Sequence, residues 1–378
     1  MAEIAIVSQR LLGHIIPALG VGYELSKRGH SVTVLTHKEH KTMIEESGMN
    51  FIEIGWDKFP DLFLFEMMDS LVEVFTNKSF DLVVCDSAQG PPSFIAELFK
   101  IPWVSFQTTV PLPDNLVPGK KKAHQRRREL YGLEINKVRK HYGLAPLTDS
   151  RRTRGDLAGL SPYLHLVMVL PEFIIDCDGL PPSSQVVGLC SFNKSIEDSL
   201  TKKNLSQKNI LVCTSSLNRP DFREKTNHYV KSTIQAFGDS ELNINITLEY
   251  TPRFNGDLPS NVNFITDHPV HHQLMPTSEV VITHGGCNTL LKSISYGCPM
   301  VIIPLGADHH ILAQRCKELG VAIVINPEDV TPEVLKENVN QLLENQSYTE
   351  RSKFLSNKMS TGKSASLSAV YIEKILEK

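Results

Sequence analysis

The chain lacks any CxxC pair, and its seven cysteines are scattered, several of them inside apolar runs (Cys85, Cys213, Cys298). That argues against a disulfide framework or a zinc site and reads as reduced core thiols, the usage expected of a cytoplasmic protein. No stretch approaches the ~20 continuous apolar residues of a membrane span, and MAEIAIVS has an acid at its third position instead of a basic leader. Neither a transmembrane anchor nor a signal peptide is expected. Charge of one sign is also missing, since 39 Lys and Arg face 42 Asp and Glu for a net charge of -3, so nothing draws the chain toward nucleic acid. No G-x-G-x-x-G follows the first apolar run, and no G-x-x-x-x-G-K-[ST] loop occurs. A dinucleotide dehydrogenase and a P-loop enzyme are therefore disfavoured.

What is present is an alternation of short apolar strands with amphipathic helices. EIAIVS, PALGVGYELSKRG and HSVTVLTH make a βαβ unit, and FDLVVCDS, PPSFIAELFK and IPWVSFQT continue it. A second series runs from NILVCTSS through EVVITHGG and PMVIIPL to VAIVINP. At 378 residues, with ~100–200 residues per domain, this predicts two doubly wound α/β domains. The expected boundaries are 1–192, a linker at 193–207 rich in Ser, Asn and Lys, and 208–365. A terminal helix at 366–378 is expected to pack back on the first domain. Ligands are expected in a central cleft, at the carboxyl ends of strands from both halves. Residues 119–143 form a strongly basic stretch, read either as a solvated helix or as a wall meeting an acidic acceptor.

Three places carry chemistry. His14, in GHIIP after the first strand, is a candidate general base that takes a proton from a hydroxyl, against the bland reading of a solvated or capping side chain. Asp86 ends the strand LVVCD and could orient that imidazole, or simply cap the next helix. In VVITHGGCNTLLKS, a strand runs through His284, Gly285 and Gly286 into a helix whose first amides would lack partners, a place for a phosphate or merely for a tight turn. Downstream, PLGADHH puts Asp308 and His309 at another strand end, where they could read sugar hydroxyls.

The blocks GHIIPALGVGYELSKRGHSVTVLTH, VVCDS and ITHGGCNTLLKSISYGCPMVIIPLGADHHILAQRCKELGVAI resemble, in order and spacing, those of family 1 nucleotide-sugar glycosyltransferases of the GT-B group, bacterial macrolide and natural-product type. The resemblance implies the GT-B fold, two Rossmann-like domains facing a cleft, and inverting transfer without a metal ion or other cofactor. It also implies roles. His14 would be the base and Asp86 its partner. His284, Gly286, Asn288 and Thr289 would hold the donor diphosphate, Asp308 and His309 the sugar, and Ser215 and Ser216 would line the donor. His268 or His271 would stack on the nucleoside base, where relatives often carry a Trp that this chain lacks. The implied partners are a UDP- or dTDP-sugar and a small lipophilic hydroxylated acceptor, with no nucleic acid; peripheral membrane contact stays open. Asp308-His309 departs from the usual acid-Gln pair, which leaves the sugar open. The competing readings are a lipid or cell-wall glycosyltransferase of the same fold, and a GT-B-like helper protein without catalysis.

Overall fold

The computed structural model describes residues 1–54, 64–111, 121–175, 179–192, 208–215, 220–248, 257–266, 270–306, 308–359 and 363–377. The chain divides into two compact units, Met1–Lys194 with Gly362–Lys378, and Ser195–Thr361. The linker expected at 193–207 lies outside the described residues.

In the first unit the order is β1 (Glu3–Val7), α1 (Leu12–Lys27), β2 (Ser31–Thr36), α2 (Lys41–Glu45), β3 (Asn50–Glu53), α3 (Leu64–Asn77), β4 (Leu82–Asp86), α4 (Pro91–Phe99), β5 (Trp103–Gln107), α5 (Lys121–His141), β6 (His165–Val167) and β7 (Ser184–Val186). The sheet runs β3-β2-β1-β4-β5-β6-β7, and every pair is parallel. Alternation along β1 shows why it is central. Ile4 and Ile6 join the core beneath α1, while Ala5 and Val7 join the core on the opposite face, beneath α3 and α4. A strand buried on both faces has to be apolar throughout, which is how EIAIV reads.

Helix α1 starts at Leu12, so Pro17 lies inside it rather than opening it. The proline removes one early backbone bond, and the helix tolerates that loss close to its start. The basic segment also becomes helical, as α5. Its Tyr131, Ile135 and Val138, spaced four and three residues apart, are buried in the core beside α3 and α4. That spacing makes α5 an amphipathic helix laid on the first sheet.

The second unit contains β8 (Asn209–Cys213), α6 (Pro220–Phe237), β9 (Asn243–Thr247), β10 (Val262–Ile265), α7 (His271–Leu274), β11 (Ser278–Thr283), α8 (Cys287–Ser295), β12 (Met300–Ile302), α9 (His309–Glu318), β13 (Ala322–Val324), α10 (Pro332–Glu344) and α11 (Gln346–Lys358). Its parallel sheet runs β10-β9-β8-β11-β12-β13. The last helix, α12 (Lys363–Leu376), belongs to the first unit, and it begins three residues earlier than the sequence boundary at 366. Ala365, Ala369 and Ile372 of α12 enter the core beneath α1, and Glu373 takes a 3.0 Å ion pair from Arg28.

Each sheet has one place where the strand order turns back. In the first it lies between β1 and β4, with Val7 beside Cys85; in the second it lies between β8 and β11, with Cys213 beside Thr283. Loops leaving the two strands at such a point diverge, opening a crevice at their carboxyl ends.

Candidate active site

At the first of these points the sequence places His14, two residues into α1, and Asp86, the last residue of β4. They meet there. His14 Nδ1 lies 2.7 Å from Asp86 Oδ2, with the carboxylate buried and the imidazole 23% exposed. Two further groups complete the arrangement, since Gln9 Nε2 donates to the same carboxylate oxygen at 2.9 Å and Thr108 Oγ1 lies 3.3 Å from His14 Nδ1. The backbone amide of Ala88 donates to Asp86 Oδ1 at 3.0 Å. A carboxylate has only acceptors to offer, so Nδ1 carries the proton and the basic lone pair falls on Nε2.

Burial pushes the Asp86 carboxyl upward, but the facing His14 and the hydrogen bonds from His14, Ala88 and Gln9 outweigh it and hold the group below its ordinary value of 3.8. A carboxyl lowered on folding stabilises the native state above its unfolded value, and that contribution disappears as pH falls through the folded one. The stability gap between wild type and Asp86→Asn is therefore expected to be constant above about pH 5 and to narrow below pH 4. Urea denaturation at pH 7 and pH 3 checks it; a gap that widens in acid would contradict the assignment.

At the second point, the turn after β11 is built by glycine. Gly285 sits at φ +91°, which disfavours side chains, and a Cβ on Gly286 would lie 2.5 Å from His284 Nε2. The imidazole therefore folds over bare backbone. Gly286 then caps α8, leaving the amides of the first turn pointed out of the helix. His284 is buried and packs edge-on against His309 with ring centroids 5.0 Å apart. Burial and the neighbouring His309 push the His284 pKa down to about 3, against an opposing hydrogen bond to the Cys213 carbonyl. His284 Nδ1 and Asn288 Oδ1 are buried and have no hydrogen-bond partner among the described residues. Both orphans are acceptors, since the other His284 nitrogen donates to the Cys213 carbonyl, so they call for the hydroxyl or N–H donors of a polar ligand, while the anion-binding capacity of this terminus lies in the first-turn amides of α8.

The other expected residues are placed as follows. Thr289 lies in the first turn of α8 and Ser215 two residues past β8, buried. Asp308 is the N-cap of α9, and His309, its first residue, is buried against Phe222 at 5.6 Å. His271 opens α7, its Nε2 3.2 Å from Thr247 Oγ1 at the end of β9. Ser216 and His268 lie outside the described residues. Sequence reasoning missed Gln9 and Thr108, although Thr108 follows the carboxyl end of β5 and the strand-end rule that found Asp86 would have found it too. A buried histidine was also missed. His165 on β6 is held between Ser105 Oγ and Gln107, and burial pushes its pKa down to about 4.

Similarity to known proteins extends over most of the chain. Residues 12–104 match the model of the glycosyltransferase family 28 N-terminal domain, and residues 231–368 match that of the erythromycin biosynthesis protein CIII-like C-terminal domain. An uncharacterized UDP-glucosyltransferase of Bacillus subtilis, YojK, is 22% identical over 93% of this chain and 92% of its own. The crystal structure of the kitacinnamycin glycotransferase superposes with a TM-score of 0.82 at 20% identity, covering 99% of this chain and 98% of the other. The glycosyltransferase VinC, solved in complex with dTDP, gives 0.69 at 18% identity, covering 99% of both chains. The chain is thus a glycosyltransferase, with the GT-B fold. Oleandomycin glycosyltransferase of Streptomyces antibioticus is a further relative, 23% identical over 93% of this chain and 85% of its own.

Proposed function

We propose that this enzyme is an inverting, metal-independent glycosyltransferase that moves a hexose or deoxyhexose from a UDP- or dTDP-sugar to a hydroxyl of a small hydrophobic natural product, in the cytoplasm. The observation that carries the reading is that each sheet's switch point holds one half of the required chemistry. A proton acceptor backed by a buried carboxylate stands at one, and an anion-ready helix terminus with orphaned polar atoms at the other.

In this reading His14 Nε2 removes the proton from the acceptor hydroxyl as its oxygen bonds to the anomeric carbon. Asp86 stabilises the imidazolium that forms. The bond from the anomeric carbon to the phosphate oxygen breaks on the opposite face, so configuration inverts in a single displacement. Negative charge collects on the departing nucleoside diphosphate, where the α8 amides, His284, Asn288 and Thr289 receive it. Asp308 and His309 hold sugar hydroxyls, Ser215 and Ser216 line the donor, and His268 or His271 lies against the nucleoside. The UDP-glucosyltransferase relative and the dTDP complex of VinC support a pyrimidine nucleoside diphosphate.

Thermal unfolding with UDP, dTDP and GDP tests the donor half without knowledge of the acceptor. At ~100 times its dissociation constant a ligand stabilises the folded state by about 2.7 kcal/mol. A clear rise in Tm with UDP or dTDP, exceeding that with GDP, is expected. No response to any of the three would overturn the reading in favour of a helper protein that keeps the fold without the reaction.

A further inference from the structure

Lys292 is the one charged residue of α8, and the mechanism above leaves it unused. It is 4% exposed, and among the described residues no hydrogen bond or ion pair is made to its ammonium. A buried cation without a carboxylate costs several kcal/mol in principle, so such a residue is rarely kept for packing alone. Its position says what it faces. Lys292 lies four residues after Asn288, on the same face of α8 and about 6 Å further along the axis. Long helical side chains lean back toward the N-terminus, which sends the ammonium toward the turn that carries Asn288 and the first amides of α8. Cys213 is the shared neighbour. Its carbonyl accepts from the His284 ring, and its thiol is the titrating group that senses Lys292.

We propose that the Lys292 ammonium is a charged contact for the donor's diphosphate, completing the anion site that the α8 amides, His284 and Asn288 begin. The inference rests on the donor reading given above. A diphosphate bears full negative charges, while the helix end offers roughly half a positive charge and His284 is neutral near pH 7. Lys292 supplies the full charge the site otherwise lacks. Burial pushes its pKa down to about 8, so it is cationic at neutral pH, and burial pushes the Cys213 thiol up to about 12, so Cys213 stays neutral beside it. An arriving diphosphate would give the ammonium a partner that no described residue supplies.

The test is calorimetric binding of UDP, UMP and uridine, with the dTDP series in parallel, to wild type, Lys292→Met and Lys292→Gln. Methionine keeps the length and apolar stem while deleting a buried charge, a change that folds are expected to tolerate. The expected result is a loss of about tenfold or more in UDP or dTDP affinity in both variants, with nucleoside affinity within about twofold of wild type. Equal losses for diphosphate and nucleoside would overturn the proposal and assign Lys292 to packing. Unchanged diphosphate affinity would overturn it too, while leaving the donor reading intact. A wild type that binds no diphosphate would instead remove the donor reading, and this inference with it.

Discussion

His14→Ala lowers turnover by about 10²- to 10⁴-fold, the span typical of a lost general base, and leaves the affinity for UDP or dTDP where it was. The split follows from position. His14 and its partners Asp86, Gln9 and Thr108 all belong to the first unit, whereas the α8 terminus proposed to take the diphosphate belongs to the second. In the proposed reaction alanine removes the nitrogen that would accept the hydroxyl proton, so the acceptor oxygen would have to attack without a base. Because the imidazole is partly exposed, its removal leaves only a small void, and melting is expected to stay close to wild type. Steady-state kinetics with a hydroxyl acceptor found by screening, alongside nucleotide titration, reads both quantities. Unchanged turnover would sink the assignment of His14 as base.

Gly286→Ala is the second large effect, and it needs only one methyl group. The new Cβ would stand 2.5 Å from His284 Nε2, closer than carbon and nitrogen can approach without bonding. The imidazole has nowhere easy to go, since it is buried and lies edge-on to His309, which in turn packs on Phe222. The ring must tilt out of the turn, and the site loses His284 along with open access to the first amides of α8. A loss of about 10²-fold or more in kcat/KM is expected, as for removal of a preorganised donor, together with weaker binding of UDP or dTDP. The cost in stability should stay near ~1–3 kcal/mol, the usual range for overpacking. Full nucleotide affinity in a folded Gly286→Ala protein would show that this turn does not hold the donor.

Both effects concern residues that the sequence singled out, and the reason is periodicity. Strands buried on both faces have to be continuous apolar runs, so EIAIV, LVVCD and SEVVIT end visibly where polar residues begin. In a doubly wound sheet those carboxyl ends carry the ligands. Hence the strand-end positions of His14, Asp86 and His284 were legible from pattern, while their roles rested on the family resemblance; the turn that places Gly285 at positive φ was legible too. Helix starts were less legible. Pro17 suggested the first position of α1, yet the helix begins five residues earlier, so the proline falls in its second turn and deprives the Gly13 carbonyl of its usual backbone donor.

The sequence by itself determined the two α/β series, the strand ends and the residue types gathered there, since each follows from local spacing and from the demand that buried strands be apolar. Only the tertiary structure decided which strand ends are neighbours. Residues 14 and 86 come within 2.7 Å because β1 and β4 pair across a crossover; Gln9 joins them from the loop after β1, and Thr108 because β5 lies on the far side of β4. It was likewise tertiary burial that turned Lys292, one lysine among the polar positions of an amphipathic helix, into a buried cation with no partner among the described residues. Spacing along a chain fixes which residues share a face. Desolvation and the identity of the opposing group belong to whatever the fold packs against it.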